Sequence, residues 1–295
     1  MSAQKNILQG PVIDLHMHTT VSDGTDLPEE IPAKVKEHGI RLFSITDHDA
    51  IKAALIVPPL LKEGDPDFIT GVEFSCKDEL GKYHILGYGY DPRQSSINET
   101  VQKGHNLRMK KVHARLDFLK ERFGFSFPQG ELNKLLTQDN PGKPHIANLM
   151  VKYGYAKTKE KAILDYINQV HFHSEYVRPE EAIAGILGSG GIPILAHPAY
   201  GSGDQLILGA EMEERLVRLM GFGLKGLESF YSGFTPKITN EMLGLAEKYG
   251  LYVTAGSDYH GRNKLITLGD NGLSEDTVYP EGLKRFLEDV RRHEV

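Results

Sequence analysis

The stretch "VIDLHMHTTVSDGT", residues 12 to 25, ends a short apolar run in two histidines one residue apart, His16 and His18, followed by a Ser-Asp-Gly turn that carries Asp23. On an extended chain residues i and i+2 project to the same side, so both imidazoles can address one ion. The spacing returns near the other end in "LYVTAGSDYHG", where Asp258 and His260 follow another apolar run. Between them "LFSITDHD" supplies Asp47, His48 and Asp49, "FITGVEFSC" supplies Glu73, and "PILAHPA" supplies His197. Taken singly, each has a plainer reading: a histidine at a strand end is commonly a hydrogen-bonded rim residue, and Asp before Gly a turn former. Recurrence at strand end after strand end is different. So many ionisable groups in one place are costly unless metal ions neutralise and coordinate them.

The elements that must position these groups alternate apolar strands with amphipathic helices. Strands are predicted over 12–16, 42–46, 68–74, 83–87, 192–196, 226–230 and 251–255. Helices are predicted over 29–38, near 53–62, and over 97–122, 179–187, 211–222, 236–249 and 281–292. Gly39, Gly64, Gly188, Gly223 and Gly250 are placed to stop helices in the left-handed conformation. Short βα units imply a mainly parallel sheet or a closed barrel, whose strands meet at their carboxyl ends. Residues from about 106 to 175 break the rhythm: they are Lys-rich, helical in period, and carry the loop "TQDNPGKPH". They are expected to form an inserted helical subdomain over the barrel mouth, leaving 1–105 and 176–295 as the barrel domain. The "GSGG" at 188–191 precedes a strand, so it reads as a helix stop and not as a phosphate-cradling loop.

Composition narrows the class. The 295 residues are 40% hydrophobic and 25% charged, ordinary for one large globular domain with an insert. A lone cysteine, Cys76, permits no internal disulfide and no Cys-rich zinc module, and is expected to serve packing. The net charge of -6 argues against long nucleic acid as a partner. No apolar run has bilayer length and "MSAQKNILQG" lacks the features of a secretion signal, so a cytoplasmic location and no membrane partner are expected. His171 and His173 in "QVHFHSE" follow no apolar strand and are expected at a surface or hinge, while His38, His105, His113 and His293 fall on helices and are expected to be solvated. His84 opens a β-type run, "KYHILGYGY", in a hairpin after Glu73.

The ordered set HMHTTVSDGT, TDHD, GVEFS, HILGY, AHPA and GSDYHG resembles the PHP family, the polymerase and histidinol phosphatase superfamily of metal-dependent phosphoesterases, over nearly the whole chain. The helical insert with "KPHIA" looks like the branch that acts on small molecules, nucleotides and oligoribonucleotides. The resemblance implies an α/β fold, a distorted (β/α)7 barrel, and three divalent ions. Carried over residue by residue, it implies one ion on His16, His18, Glu73 and Asp258, a second on Glu73, His84 and His197, and a third on Asp23, His48 and His260. The last three are also the expected catalytic group, beside a metal-activated hydroxide. Some relatives have histidine where Asp23 stands here. A donor set without thiolate suits Mn, Fe or Zn.

The expected activity is hydrolysis of small phosphate esters, such as nucleoside mono- or bisphosphates, with cyclic esters and diesters in the same reach. Lys143 and His145 in "NPGKPHIA", with Arg108 and Arg262, are the candidates for binding substrate phosphate, against a solvated role for the lysine and arginines. Asp47 is expected to orient an imidazole from behind. Tyr231 and Tyr259 are expected to pack, with stacking on a base or donation to a leaving group the alternatives. Three other readings compete: a 5'-3' exoribonuclease on short oligonucleotides, an amidohydrolase-type C–N hydrolase, and a metal-stabilised module without turnover. No heptad pattern indicates an oligomer.

Overall fold

The computed structural model describes residues 13–172, 175–201, 205–273 and 277–292. Two parallel crossovers open the chain. Strand β1 (Ile13–Asp14) leads to helix α1 (Ile31–Glu37), β2 (Leu42–Phe43), α2 (Ala53–Ile56) and β3 (Asp67–Phe68), and the three strands pair in parallel in the order β1-β2-β3. A hairpin follows, β4 (Gly71–Lys77) against β5 (Lys82–Tyr88). Next come the helices α3 (Ser95–Phe123), α4 (Gln129–Leu136), α5 (Lys143–Lys152) and α6 (Lys159–Asp165). Alternation then resumes with α7 (Pro179–Gly188), β6 (Ile192–Leu195), α8 (Gly209–Gly221), β7 (Gly226–Tyr231), α9 (Pro236–Lys248), β8 (Tyr252–Gly256) and α10 (Glu281–Asp289).

The second sheet has the order β4-β5-β6-β7-β8; β5 is antiparallel to both neighbours and β6, β7 and β8 are parallel. The two sheets meet on both sides. Leu15 N donates to Ala255 O (3.0 Å) and Asp258 N to His16 O (2.8 Å), while Asp49 N donates to Glu73 O (2.9 Å). Backbone bonding therefore runs around the molecule, although a uniformly parallel circuit is interrupted by the hairpin.

Local chemistry explains where elements depart from expectation. The strand predicted over 68–74 is two strands in different sheets. The chain passes so close to β2 at Gly71 that a Cβ there would lie 2.1 Å from Ser44 Oγ and 2.7 Å from Ile45 O. The helix expected near 53–62 stops at Ile56, because Pro58 and Pro59 withhold backbone donors and leave only a 3-10 turn. Gly188 is the last residue of α7, and Gly190, at φ 75°, makes the turn in its place.

Alternation on β4 links packing to chemistry. Val72, Phe74 and Cys76 face the main core while Glu73 and Ser75, also buried, face the other way. A separate cluster under the first sheet includes Met17, Val35, Phe43 and Phe68. The insert has its own core of Val112, Leu119, Ile146 and Met150, topped by stacked Phe125 and Tyr155 at 4.3 Å. Its entry is continuous with what precedes it: α3 runs 29 residues through the expected boundary at residue 106. Among the described residues no helix is long and apolar enough to cross a membrane.

The tightest join lies between β8 and the first strand. A Cβ at Gly256 would lie 2.2 Å from His16 Cβ and 2.6 Å from Glu228 Oε1. Gly256→Ala is therefore expected to cost about 1–3 kcal/mol of stability in urea unfolding; wild-type stability would contradict this packing.

Candidate metal centre

His16 and His18 leave β1 on an extended chain, and Met17 between them is buried in the core of the first sheet. Both imidazoles are fully buried. His16 Nδ1 donates to Glu228 Oε1 (2.9 Å), which turns Nε2 inward to within 3.4 Å of Glu73 Oε1 and 3.5 Å of Asp258 Oδ1. His18 Nε2 lies 3.2 Å from Glu73 Oε2 and 3.3 Å from Asp258 Oδ1.

Glu73 is the hub. Besides these two rings, its oxygens lie 2.9 Å from His48 Nδ1, 2.9 Å from His84 Nδ1 and 3.1 Å from His197 Nε2. Asp23 closes the far side, 3.3 Å from His260 Nε2 and 3.8 Å from both His48 Nε2 and His18 Nδ1. All nine residues expected as metal ligands thus meet in one cluster. The grouping differs from the expected sets: His18 stands with Asp23, His48 and His260 as well as with His16 and Asp258, while Glu73 stands with His16 and His197 and, separately, with His48 and His84.

Four atoms in this cluster, His16 Nε2, His18 Nε2, His48 Nδ1 and Glu73 Oε2, are buried and make no hydrogen bond. Buried polar atoms without partners are rare. Converging lone pairs of imidazole and carboxylate are what a divalent cation takes, so the residues present fit such ions.

The electrostatics show how strongly the groups act on one another. Burial would raise the carboxyls of Asp23, Glu73 and Asp258, yet all three are held well below their ordinary range. His48 and His260 do this at Asp23, His84, His48 and His16 at Glu73, and Lys264 with His16 at Asp258. Burial opposes charge on His16 and His18, but nearby carboxylates overcome it and raise His16 well above its usual value and His18 to about 9. For His48 burial wins and pushes the ring down to about 4.

Backbone strain is concentrated here. Among the described residues the non-glycine positions with positive φ are Asp49 (49°), His197 (27°) and Asp258 (59°), two of them in the cluster. Supporting bonds hold this shape. Glu228 Oε2 accepts from His197 N (2.7 Å), while Asp47 accepts from Thr19 N (2.7 Å) and Ser22 Oγ (2.6 Å). Ser22 Oγ in turn lies 3.4 Å from His18 Nδ1, so the ring that Asp47 steadies is His18 and not its neighbour His48. Asp49 binds Arg108 through Nε (3.1 Å) and Nη2 (2.9 Å).

The phosphate-binding candidates divide. His145 is half-buried at the start of α5, where its Nδ1 accepts from Gly142 N (3.0 Å); burial lowers it and the Asp23 carboxylate counters. Arg108 is buried on Asp49 and Ser75, with Nη1 3.2 Å from where a Gly142 Cβ would be. Lys143 Nζ donates to Asn168 Oδ1 (2.7 Å) within the insert. Arg262 is not brought in: its side chain is exposed, near Asp26. Tyr259 bonds Asp26 (2.6 Å), away from the cluster, whereas Tyr231 bonds Asp258 (3.0 Å).

His105 is not solvated as expected. It donates to Asn140 Oδ1 (3.2 Å), and Asn140 in turn donates to the His48 carbonyl, tying the insert to the cluster. His38, His113 and His171 are exposed; His173 and His293 lie outside the described residues. Residues that sequence reasoning missed are Glu228, Asn140, Lys264 and Lys111. Glu228 had a signal, a carboxylate inside the apolar run "GLESF". Lys111, one turn past Arg108, sits 3.8 Å over the Tyr176 ring, and burial pushes its ammonium down to about 7.

A fold of two sheets with nine converging donors defines a metal-dependent hydrolase class, and comparison agrees. The chain matches the PHP domain family over residues 14–292 and belongs to that family. It is 28% identical over 270 residues to a 5'-3' exoribonuclease of Haemophilus influenzae, covering 90% of this chain and 96% of the relative. It is 26% identical over 259 residues to a 3',5'-nucleoside bisphosphate phosphatase of Chromobacterium violaceum, covering 84% and 87%. A solved structure from Bifidobacterium adolescentis, described as a "putative metal-dependent phosphoesterase", superposes with a TM-score of 0.78 at 27% identity, covering 94% of this chain and 96% of that one.

Glu228 touches the cluster only through His16 and His197. Glu228→Gln is expected to weaken divalent-ion affinity roughly 10–100-fold while the fold is kept. Metal titration of the folded variant checks this, and an unchanged affinity would remove Glu228 from its supporting role.

Proposed function

We propose that this protein is a metal-dependent phosphoesterase of the cytoplasm acting on small phosphate esters, nucleoside mono- and bisphosphates first among them. The observation that carries this is Glu73, whose two oxygens lie 2.9–3.4 Å from ring nitrogens of five histidines. In this reading His16, His18, Glu73 and Asp258 hold one ion, Glu73, His84 and His197 a second, and Asp23, His48 and His260 a third. Mn, Fe or Zn suits these donors. When bound, such ions supply Lewis-acid chemistry, drawing electron density from phosphate oxygens and acidifying water.

The chain's own residues bind and orient. Asp23 and His260, 3.3 Å apart and buried, stand with His48 as the group that would hold the third ion: His260 Nδ1 donates to the Asp258 carbonyl (2.9 Å), which leaves its Nε2 lone pair facing inward. His145 beside Asp23, with Arg108, Lys111 and Lys143, gives the insert a basic side that favours an anion near the cluster. Cys76 is no nucleophile, since burial pushes its thiol well up. The same reading takes the two sheets as one distorted (β/α)7 barrel, built from 1–105 and 176–295 with 106–175 as the insert. The bonds between His16 and Asp258 support that closure.

The relative named for nucleoside bisphosphates supports nucleotides as the substrate class. A second reading, 5'-3' hydrolysis of short oligoribonucleotides, is favoured by the Haemophilus relative. Assaying phosphomonoesters, cyclic phosphates, short oligoribonucleotides and cyclic amides side by side separates the readings; turnover of the amides alone would defeat both. His18→Ala and Asp258→Ala are expected to lose metal and roughly a hundredfold or more of phosphate release while staying folded. Near-normal turnover in either under limiting metal would refute the ligand assignment. His145→Ala is expected to raise KM with metal content intact, and loss of metal would make His145 a ligand instead.

A further inference from the structure

Lys264 follows the 3-10 turn Gly261–Asn263, four residues past His260. Its Nζ lies 2.5 Å from Asp258 Oδ2, and Tyr231 Oη donates to the same oxygen at 3.0 Å. The other oxygen, Oδ1, faces His16, His18 and His260 at 3.3–3.5 Å. Asp258 is thus divided, one oxygen toward the donor cluster and one toward two side chains of the cavity wall.

That cavity, of about 290 Å³, is lined by Glu73, His84, His197 and Asp258 of the cluster together with Tyr231 and Lys264. Lys264 is the one lysine or arginine among the described residues that line it. An ammonium offers three donors, and the carboxylate it touches does not exhaust them. Its side chain keeps 41% of its surface exposed, so it is not packed in place as the buried Arg108 is.

Lys264 is not the sole partner of Oδ2, because the Tyr231 hydroxyl also donates to it. A flexible four-carbon stem is a poor locator for a carboxylate, whereas a mobile point charge is a common phosphate ligand.

We propose that Lys264 binds the substrate, its ammonium holding a non-bridging oxygen of the phosphate under attack. This rests on the phosphoesterase reading above. The bond is a charge-assisted hydrogen bond that should favour a dianionic monoester over a monoanionic diester.

The test compares the metal-loaded wild type with Lys264→Gln, which keeps a donor for Asp258 without charge, and Lys264→Arg, which keeps the charge. Metal content is measured first, then KM and kcat for p-nitrophenyl phosphate and bis-p-nitrophenyl phosphate, then the rise in Tm caused by inorganic phosphate. In Lys264→Gln the expected result is wild-type metal, a KM for the monoester raised about tenfold or more, a smaller change for the diester, and a diminished phosphate-induced Tm rise. Lys264→Arg should recover much of the loss. Wild-type KM and Tm response in Lys264→Gln would overturn the proposal. So would metal loss with a fall in kcat and an unchanged KM, which would make Lys264 a positioning residue for Asp258. If the wild type cleaves neither ester, the phosphoesterase reading fails for these substrates, and the phosphate-induced Tm rise still reads Lys264.

Discussion

A buried carboxylate surrounded by imidazoles is the constraint around which this molecule is arranged. Glu73 has almost no contact with solvent, and an ionised carboxylate in such a place is tolerated only with compensating charge. Five rings supply the immediate surroundings, and they come from both sheets and from the loops between them. The strands β1, β2, β5 and β6 carry those rings on them or just beyond their ends, so that all five reach one point. The register of β4 against β5 sets His84 beside Ser75, one residue past the hub strand's Phe74. The bond from Asp258 N to His16 O brings the two ends of the chain together.

The price of this convergence is local rather than global. His197 and Asp258 adopt left-handed backbone conformations that non-glycine residues avoid, and hydrogen bonds from the flanking structure hold them there. Glu228 illustrates the economy of the arrangement: one oxygen fixes the ring of His16 and the other fixes the backbone of His197. Asp47 plays the corresponding part for His18 through Ser22. The polar network behind the rings therefore decides which ring nitrogen faces inward.

Much of the cluster was legible in the sequence because its members lie at the ends of apolar runs, where a side-chain period of two makes direction readable. His16 and His18 around Met17 are the clearest case. The strand predicted over 68–74 was misread because apolar content cannot reveal a change of sheet; the steric contact at Gly71 does that, and it is a long-range fact. Lys264 and Asn140 escaped notice for a related reason. Each lies in a loop with no periodicity, and its meaning comes from a partner brought near by folding, Asp258 in one case and the His48 carbonyl in the other. Arg262 was the reverse, a cation close in sequence to the cluster whose side chain points away.

Helix α3 joins the helical segment that follows it to the two sheets without a break, and it is seated where chemistry and architecture touch. Gly104 lets it approach until an added Cβ would lie 2.8 Å from Asp49 Oδ1, and Arg108, one turn on, grips the same carboxylate. The helix thus works as a splint: its middle turns are clamped on Asp49 beside His48, while its later turns carry part of a separate hydrophobic core. The cap beyond residue 124 can therefore vary in outline while this splint and the Asn140 bond to the His48 carbonyl keep the nine donors in place.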